Sequence, residues 1–329
     1  MIHFLGIDFS PDEVHAVVVG RYLEFEGERS ARILNARRDD DGVVSVSATE
    51  WARAASYAIQ ELYLDLPVAA RKIWGIGFAA PSGWAALGRE FEPLSDVRLV
   101  RPEGIADDVR QWLAADPRRE KHIAAILSPK DYFRFVLSGA LATDVTLASR
   151  QGLLEERSAY WDARRLDAAG LRREWMPPVF DCDVCTGQVG KAGAESTGLP
   201  SGLWLVAGGL RESCSHVASG DLRTRTLWAP AGGGRVVYAL DAPPGRIPEG
   251  FRAARSAYRG GWVLERPVSR DDELDDSTRS LETAGLPVER IIRQTAPPAV
   301  GAATLGIIGS GLVRDWEFFY RRAALPAAE

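Results

Sequence analysis

Four side chains have the types that bind a structural metal ion. Cys182 and Cys185 form a Cys-x-x-Cys pair, and Cys214 and His216 follow later in the chain. Three thiolates and one imidazole are a common tetrahedral ligand set for zinc. Cys214 and His216 lie only two residues apart on a predicted helix, however, so their side chains face different directions. The pattern favours incidental cysteines and leaves a zinc site as the weaker alternative.

Redox and hydrolytic chemistry have less support in the sequence. The Cys-x-x-Cys pair does not open the helix of a thioredoxin-like unit, which is where such a pair is redox-active. The histidines have no Gly-x-Ser-x-Gly elbow that would supply a nucleophile. No Ser-His-Asp hydrolase is therefore predicted.

The composition is that of a soluble globular protein. The 329 residues are 46% hydrophobic and 26% charged, and this length suggests two domains. A net charge of −5 and a pI near 5.6 give no electrostatic case for nucleic acid or an anionic membrane. The N-terminal stretch lacks the basic region of a signal peptide, and the apolar stretch at 301–313 is too short to span a bilayer. Three cysteines without a secretion signal point to the cytoplasm.

The elements that position these side chains begin with a run of strands. Apolar, β-branched segments predict strands at residues 2–7, 14–19, 31–35, 43–47 and 72–79. A helix starts after the fourth strand, with Ser47 as its N-cap and Glu50 completing a capping box. This order is that of the ribonuclease-H-like fold of the actin and sugar-kinase superfamily. By fold analogy it implies a two-domain clamp driven by a nucleotide.

The rest of the chain continues the α/β pattern. Residues 105–137 predict mostly helix, with Gly139 as its stop. A buried strand at 203–207 and a helix at 212–219 follow, and new strands at 235–240 and 262–265 open a second domain near residue 221. A last strand is predicted at 305–308, before the turn Gly309-Ser310-Gly311 and a short aromatic helix.

Longer motifs make the resemblance specific. Residues 128–139 read SPKDYFRFVLSG and residues 142–150 read ATDVTLASR. They resemble the P-K-D-Y-L-R-x-x-L-T-G and A-T-D-x-[ST]-x-A-S-R segments of the FGGY carbohydrate kinase family. Further matches keep the family's order at 187–189, 197–202 and 206–209. The chain is most similar to xylulose or glycerol kinases, over roughly residues 1–265 with a shorter match at 304–323.

The resemblance implies a two-lobed ribonuclease-H-like protein with a reduced second lobe. The first lobe would span residues 1–220 and the second residues 221–329, with 264–303 too short to hold the family's ATP-domain segment. An active member would use Mg-ATP and a sugar or polyol, with a base for the acceptor hydroxyl. No cofactor is assigned to this chain outright.

The family's phosphate loop, D-x-G-T-[ST]-x-x-K, is altered here. The resemblance assigns Asp8 to Mg²⁺, whereas Ser10, Pro11, Asp12 and His15 replace the glycine, the hydroxyl residues and the lysine. Pro11 has no N–H to offer a phosphate. A carboxylate about 4 Å from a phosphate charge is repelled by roughly 4 kcal/mol at an effective dielectric constant near 20. The turn is therefore predicted to be a plain hairpin that disfavours ATP.

The catalytic base of the family lies in G-G-G-D-N, which appears here as Gly208-Gly209-Leu210-Arg211-Glu212. Arg211 occupies the base position and cannot accept a proton near neutral pH. Glu212 is one residue too late, and such a shift turns a helical side chain by about 100°. Glu212 as a displaced base stays open as an alternative.

The remaining site positions concern the sugar and the adenosine. The family's S-G-Q-M-H-G appears as residues 79–84, with Ser82 and Trp84 as substrate candidates, and Trp84 could stack on a sugar or pack in the core. Asp144 is most simply a cap residue, with a substrate contact as the alternative. The nucleotide candidates are Gly233, Gly234, Gly309, Ser310 and Gly311.

Three functions follow from these observations. The first is a catalytically impaired kinase relative that binds a polyol-like ligand, a nucleotide or a protein partner. The second is an active, divergent sugar kinase with Mg²⁺ on Asp8 and Glu212 as its base. The third is a non-enzymatic interaction subunit, because a reduced second lobe would leave apolar surface that an oligomer covers.

Overall fold

The computed structural model describes residues 2–39, 42–155, 158–220, 224–229, 234–268, 272–293, 296–313 and 316–323. The described strands are β1 His3–Phe9, β2 Glu13–Gly20, β3 Phe25–Arg32, β4 Arg37–Arg38, β5 Val44–Val46, β6 Ile73–Ala80, β7 Ala85–Leu87, β8 Val97–Leu99, β9 Ala125–Leu127, β10 Thr143–Asp144, β11 Val179–Phe180, β12 Cys185–Gln188, β13 Trp204–Val206, β14 Gly209–Leu210, β15 Thr226–Ala229, β16 Gly234–Leu240, β17 Arg252–Arg255, β18 Trp262–Val268 and β19 Arg290–Arg293. The α-helices are α1 Ala48–Asp65, α2 Ile105–Ala115, α3 Pro129–Ser138, α4 Val145–Arg150, α5 Ala163–Ala168, α6 Lys191–Thr197, α7 Arg211–Ala218, α8 Asp272–Thr283, α9 Pro298–Gly309 and α10 Trp316–Tyr320, and short 3₁₀ helices lie at Pro102–Gly104, Pro117–His122 and Arg173–Trp175.

The first large sheet brings the ends of three strands to one edge. Its strand order is β12-β13-β6-β1-β2-β3, and β14 also pairs with β6. Strand β1 is antiparallel to β2 and parallel to β6, which confirms the predicted hairpin. Asp8 lies opposite Ala79, and Gly209 lies opposite Ala79 from the other side. Because parallel strands end at the same edge, Asp8 and the residue after β14 are brought close together.

Both faces of this sheet are covered, which explains why β1 is mostly apolar and is buried along its whole length. Leu5 and Phe9 pack with Trp51 of α1 on one face, whereas Phe4 packs with Ala303 of α9 on the other. Alternate side chains of a strand point to opposite faces, so each face receives its own set. All seven residues of β1 are buried.

Helix α9 lies directly on the sheet because glycines remove the intervening side chains. A Cβ at Gly6 would lie 1.9 Å from the carbonyl oxygen of Ala299, and one at Gly77 would lie 1.8 Å from that of Ala302. On the other side of α9, a Cβ at Gly301 would lie 1.8 Å from the carbonyl oxygen of Cys214 in α7. The backbones of α9, the sheet and α7 therefore touch.

Because of this close packing, even one added methyl group at Gly77 should lower the stability of the protein strongly. We expect Gly77→Ala to lower the free energy of unfolding by about 3 kcal/mol, since the new methyl group meets rigid backbone. Urea denaturation measures the effect. Gly104→Ala is the matched control, because a Cβ there has open space and the residue keeps φ −93, and it should stay within about 1 kcal/mol of wild type. Equal midpoints for the two variants would contradict the packing.

The strand predicted at residues 305–308 is wrong, since these residues form the last turn of α9. The helix is apolar on every side and nearly all of its residues are buried. Such a run carries no period that separates a helix from a buried strand. No α-helix of the described residues is long and apolar enough to cross a membrane.

Two other local predictions need correction. The helical prediction over residues 105–137 is interrupted by strand β9, although Gly139 does end α3 with a left-handed φ of 70. Ser47 precedes α1 as predicted but makes no side-chain cap, because Glu50 instead accepts the backbone N–H of Leu34 and pairs with Arg53. Of the strand predicted at 31–35, only residues 31–32 are strand, as the end of the longer β3, and residues 33–35 leave the sheet.

The second large sheet is built from later residues. Its strand order is β17-β18-β16-β15-β19, and α8 packs on it through Leu274 and Leu281. The division of the chain into residues 1–220 and 221–329 stays a prediction. That prediction did not foresee that α9 and α10 pack against the first sheet, where Ile307 and Phe319 lie in the same apolar cluster as Phe4.

Candidate functional site

The centre of the site is an ion pair between Asp8, at the family's metal position, and Arg211, at the family's base position. Asp8 lies near the end of β1 and is 4% exposed, while Arg211 is the first residue of α7. Arg211 Nε donates to Asp8 Oδ1 at 2.8 Å, and its terminal nitrogen Nη2 donates to Oδ2 at 2.9 Å. Both carboxylate oxygens are thus engaged by one planar guanidinium, the geometry in which Arg–carboxylate pairs are strongest.

Burial dominates the electrostatics of this pair. It raises the pKa of Asp8 from 3.8 to about 6, against the opposing hydrogen bond from Arg211. Burial is also the largest single influence on the pKa of Arg211 and acts to lower it, but the hydrogen bond to Asp8 and the negative charges of Asp8, Glu212 and Glu13 together raise the pKa. Arg211 therefore stays charged, and a divalent cation approaching Asp8 would meet a positive guanidinium.

The raised pKa makes stability depend on pH in a defined direction. Asp8 ionises at a higher pH when folded than the ordinary value of 3.8, so its contribution to stability is complete below pH 3.8 and is lost as pH rises through about 6. Between pH 4.5 and 7 we expect wild type to lose about 2 kcal/mol more stability than Asp8→Asn. Urea unfolding of both proteins at the two pH values measures the difference. Parallel changes with pH would show that Asp8 ionises as it does in the unfolded chain.

The turn after β1 closes on itself. The Oγ of Ser10 accepts the backbone N–H of Glu13 at 3.0 Å and that of Asp12 at 3.4 Å, and Ser10 N donates to the carbonyl oxygen of Glu13 at 2.8 Å. His15, in place of the family's lysine, pairs with Glu28 at 2.9 Å. The backbone donors that would face a phosphate are directed into the hairpin instead.

Glu212 is exposed at the second position of α7. Its charge acts on Asp8 and on Arg211, and also on Arg150 and Arg235. It therefore lies among the charged groups around the Asp8–Arg211 pair. Its role as a displaced base stays a prediction.

A buried carboxylate next to this region gathers three arginines, a feature that the sequence analysis missed. Glu265 of β18 is fully buried, and Arg150 at the end of α4 contacts it through Nη2 at 2.6 Å and Nε at 3.0 Å. Arg252 lies 2.5 Å and Arg235 3.4 Å from the same carboxylate. Arg252 also reaches Glu103 at 3.1 Å. The network joins α4 to the second sheet, and the only signal in the sequence was Arg150 within its family motif.

Trp84 makes the contacts of a core side chain. It is 1% exposed, its indole Nε1 donates to Asp108 at 2.7 Å, and its ring meets Trp112 edge-on at 5.5 Å. The enclosed cavity beside it holds only about 20 Å³. That space suits a water molecule rather than a sugar. Ser82 donates its hydroxyl to the carbonyl oxygen of Val100.

Asp144 is fully buried as the N-cap of α4. Its Oδ1 accepts the backbone N–H groups of Thr146 at 2.8 Å and Leu147 at 3.2 Å, and Lys130 Nζ lies 2.8 Å from Oδ2. Lys130 in turn contacts Asp131 at 2.6 Å. These contacts give Lys130, Asp131 and Asp144 structural roles, and Asp144 has no exposed surface for a substrate.

The nucleotide candidates lie in two separate places. Gly309 and Ser310 end α9, where a Cβ on Gly309 would lie 2.1 Å from the carbonyl oxygen of Asp183. Gly311 follows with φ 72, and Gly234 begins β16, while Gly233 lies outside the described residues. The end of a helix presents carbonyl groups, which do not attract phosphate. A role under an adenine stays a prediction.

The structure brings together only two of the four zinc candidates. Cys182 and Cys214 are buried, and a Cβ on Gly209 would lie 3.5 Å from both sulfurs. Burial raises the pKa of both thiols well above the ordinary value, which disfavours the thiolate that binds metals. Cys185 is exposed on β12, and the ring of His216 packs 5.6 Å from that of Trp228. Within the described ranges no group of three or more His, Cys, Asp or Glu residues could hold a metal ion.

Comparisons with known proteins find a sequence match in the middle of the chain. Residues 109–217 match the N-terminal domain of the FGGY family of carbohydrate kinases. Autoinducer-2 kinase of Escherichia coli (strain K12) is 36% identical over 101 residues, which are 30% of this chain and 19% of that kinase. The matched chain thus spans about a fifth of the length of this relative.

Solved structures extend the likeness to the whole fold. A "xyloylose kinase" from Brucella ovis superposes with a TM-score of 0.84 at 16% identity, covering 99% of this chain and 94% of that one. Xylulose kinase from Rhodospirillum rubrum gives a TM-score of 0.83 at 14% identity, with 99% and 94% covered. The predicted ribonuclease-H-like fold of the sugar kinases is thereby confirmed. Residues 109–217 are thus similar in sequence to the N-terminal domain of the FGGY carbohydrate kinases, and the chain as a whole has the fold of the sugar kinases.

Proposed function

We propose that this chain is a catalytically impaired FGGY kinase relative that binds a small sugar- or polyol-like ligand, or a partner, without transferring phosphate. The observation that carries the proposal is the two-pronged ion pair between Arg211 and Asp8. One arginine removes two requirements of phosphoryl transfer at once, namely an oxygen ligand for the metal and a proton acceptor near the acceptor hydroxyl.

The metal requirement fails first. Mg²⁺ binds hard oxygen ligands at near-ideal octahedral geometry. Asp8 offers two oxygens, and Arg211 donates to each of them within 2.9 Å. A metal ion would have to displace the guanidinium and then tolerate its positive charge nearby.

The phosphate and proton requirements fail for related reasons. In the hairpin the backbone N–H groups of Asp12 and Glu13 donate to Ser10 Oγ, so they are not available to bind a triphosphate. Arg211 cannot act as a general base at neutral pH because its guanidinium is never deprotonated there. These features support binding without catalysis.

Room for a polar ligand exists on the first part of the chain. An open cavity of about 490 Å³ lies beside the 3₁₀ helix at Pro102–Gly104, with Arg98, Arg101, Asp107 and Gln111 in its wall. Charged and amide side chains are suited to the several hydroxyl groups of a polyol. The similarity of the fold to that of xylulose kinases is the reason to propose a sugar or a polyol as the ligand.

The test combines binding and turnover. We expect no rise in melting temperature at millimolar Mg-ATP and no ADP release with any sugar or polyol of a broad panel, because a native-state ligand would stabilise the protein. A clear rise, together with sugar-dependent ADP release that Glu212→Ala abolishes, would replace the proposal with the divergent active kinase. The exposed position of Glu212 near Arg211 is the observation that keeps this second candidate.

Location and assembly complete the proposal. The described chain contains three free cysteines, two of them buried, which suits the reducing cytoplasm. Exposed large apolar side chains such as Phe25 at 63% and Val68 at 79% would suit an oligomer or a protein partner. Light scattering that shows a monomer at all concentrations would remove the oligomer from the proposal.

A further inference from the structure

A separate cavity lies between two distant parts of the chain. Its volume is about 240 Å³, and its walls come from residues between Ser149 and Glu155 with Ala159 and Arg165 on one side, and from residues between Pro243 and Trp262 on the other. Asp8 and Arg211 do not form these walls. The two sides are already joined, because Ser149 Oγ accepts the backbone N–H of Arg255 at 3.0 Å. The cavity is therefore preformed rather than made by a ligand.

One wall carries a cation with an unused donor. Arg255 is 14% exposed, and its guanidinium carbon lies 5.2 Å from the ring centre of Trp262. The nearest carboxylate, Asp181, is 3.9 Å away, which is beyond hydrogen-bond distance. Arg255 Nε is buried and has no hydrogen-bond partner in the described part of the protein. A desolvated donor of this kind costs free energy until an acceptor reaches it.

The other charged side chains in the wall cancel. Arg165 is held by the carbonyl oxygen of Leu154 at 3.0 Å and by Asp162, and Glu155 accepts the hydroxyl of Ser158 at 2.6 Å. Within the lining itself Arg165 and Glu155 offset each other and Arg255 adds one positive charge, while Asp162 and Asp181 lie outside the lining and pair with the two arginines. The group that a ligand can still satisfy is the unpartnered Nε of Arg255, which favours a ligand with one negatively charged acceptor.

The rest of the lining is apolar and sets the size of the ligand. Leu154, Pro243, Ile247 and Trp262 contribute the walls, and Ile247 is 51% exposed in the absence of a cover. A cavity of about 150 Å³ accommodates a benzene ring, so this larger one has room for a ring and a short acidic arm. The indole of Trp262 offers a face on which such a ring can pack.

We propose that this cavity binds a small aryl-carboxylate, with the ring against Trp262 and Ile247 and the carboxylate on Arg255. Such a contact is a charge-assisted hydrogen bond, the stronger class of hydrogen bond. The proposal does not depend on whether the chain transfers phosphate. A ligand seated here would contact both sides of the cavity and hold them together.

The experiment is titration calorimetry on the full chain with phenylacetate and indole-3-acetate. We expect at least one of them to bind with a Kd below about 1 mM. The neutral phenylacetamide should bind at least about tenfold more weakly, and Arg255→Gln should cost at least about tenfold. Arg164→Gln is the matched control, because this exposed neighbour on α5 lies outside the cavity wall, and it should leave binding unchanged.

A second variant keeps the test decisive if Arg255→Gln fails to fold. Ala253→Leu retains Arg255 but fills part of the cavity, and it should abolish binding while the circular dichroism spectrum stays native. Four results would overturn the proposal: no binding of either acid at about 10 mM, equal affinity for the amide, undiminished binding by Arg255→Gln, or undiminished binding by Ala253→Leu. Mg-ATP is absent throughout, so the outcome is separable from the test of catalytic impairment.

Discussion

Arg211→Ala is expected to create an affinity for divalent metal ions that the wild-type protein lacks. The change frees both oxygens of Asp8, which Arg211 now engages at 2.8 and 2.9 Å. It also removes a positive charge that would oppose a divalent ion by roughly 8 kcal/mol at about 4 Å and an effective dielectric constant near 20. Because the pair is partly hydrated, we expect a smaller gain, of at least about a hundredfold in affinity. Mn²⁺ titration followed by electron paramagnetic resonance measures it.

The control uses a similar pair elsewhere in the protein. Arg259 donates to buried Asp183 through two nitrogens, at 3.1 and 3.0 Å. Both bonds end on Asp183 Oδ1, so Arg259→Ala also frees a buried carboxylate oxygen, but away from the family's metal position, and this variant should bind no Mn²⁺. If wild type binds Mn²⁺ as tightly as Arg211→Ala, or if Arg211→Ala binds none, then Arg211 does not exclude the metal and the proposed impairment loses its main support.

Glu265→Ala is expected to cause the largest loss of stability. The substitution leaves Arg150, which is 5% exposed at its side chain, without its carboxylate, and it deprives Arg235 and Arg252 of their shared partner. Removing one member of a buried ion pair costs about 3–5 kcal/mol, because an uncompensated charge stays in a low-dielectric environment. Urea denaturation of wild type and variant measures the change in the free energy of unfolding.

An exposed ion pair provides the comparison. Arg225 and Glu289 lie 2.6 Å apart with more than half of each side chain exposed. Glu289→Ala should change stability by less than about 1 kcal/mol, since solvent screens such pairs. A double variant that replaces both Glu265 and Arg150 with apolar residues should recover part of the loss. Equal effects of Glu265→Ala and Glu289→Ala would mean that the three-arginine network does not hold the second sheet to α4.

The metal and stability predictions concern two groups of charged side chains that the charge of Glu212 links. In the proposed function the Asp8–Arg211 pair excludes a metal ion, whereas the Glu265 network joins β18 to the end of α4. Glu212 contributes charge to both, through Arg211 on one side and Arg150 and Arg235 on the other. A substitution of Glu212 should therefore change both the Mn²⁺ affinity of Arg211→Ala and the free energy of unfolding.

The sequence by itself determined the features that depend on neighbouring residues. The β1–β2 hairpin followed from two β-branched runs around a Ser-Pro-Asp turn, and the end of α3 followed from Gly139. The proposed loss of kinase chemistry also rests on local properties, because Pro11 has no N–H and Arg211 accepts no proton whatever surrounds them. Such properties depend only on the type of residue, so they can be predicted without the tertiary structure.

Only the tertiary structure decided which distant groups meet. Asp8 and Arg211 are paired because β1 and β14 both run parallel to β6 and end at its edge, and no spacing in the sequence encodes that neighbourhood. The same holds for Glu265 among its three arginines and for Arg255 over Trp262. The uniformly apolar α9 could be assigned as a helix only from its packing against Gly6 and Gly77. Local chemistry is thus fixed by each side chain, whereas pairing, burial and pKa are fixed by the neighbours that folding supplies.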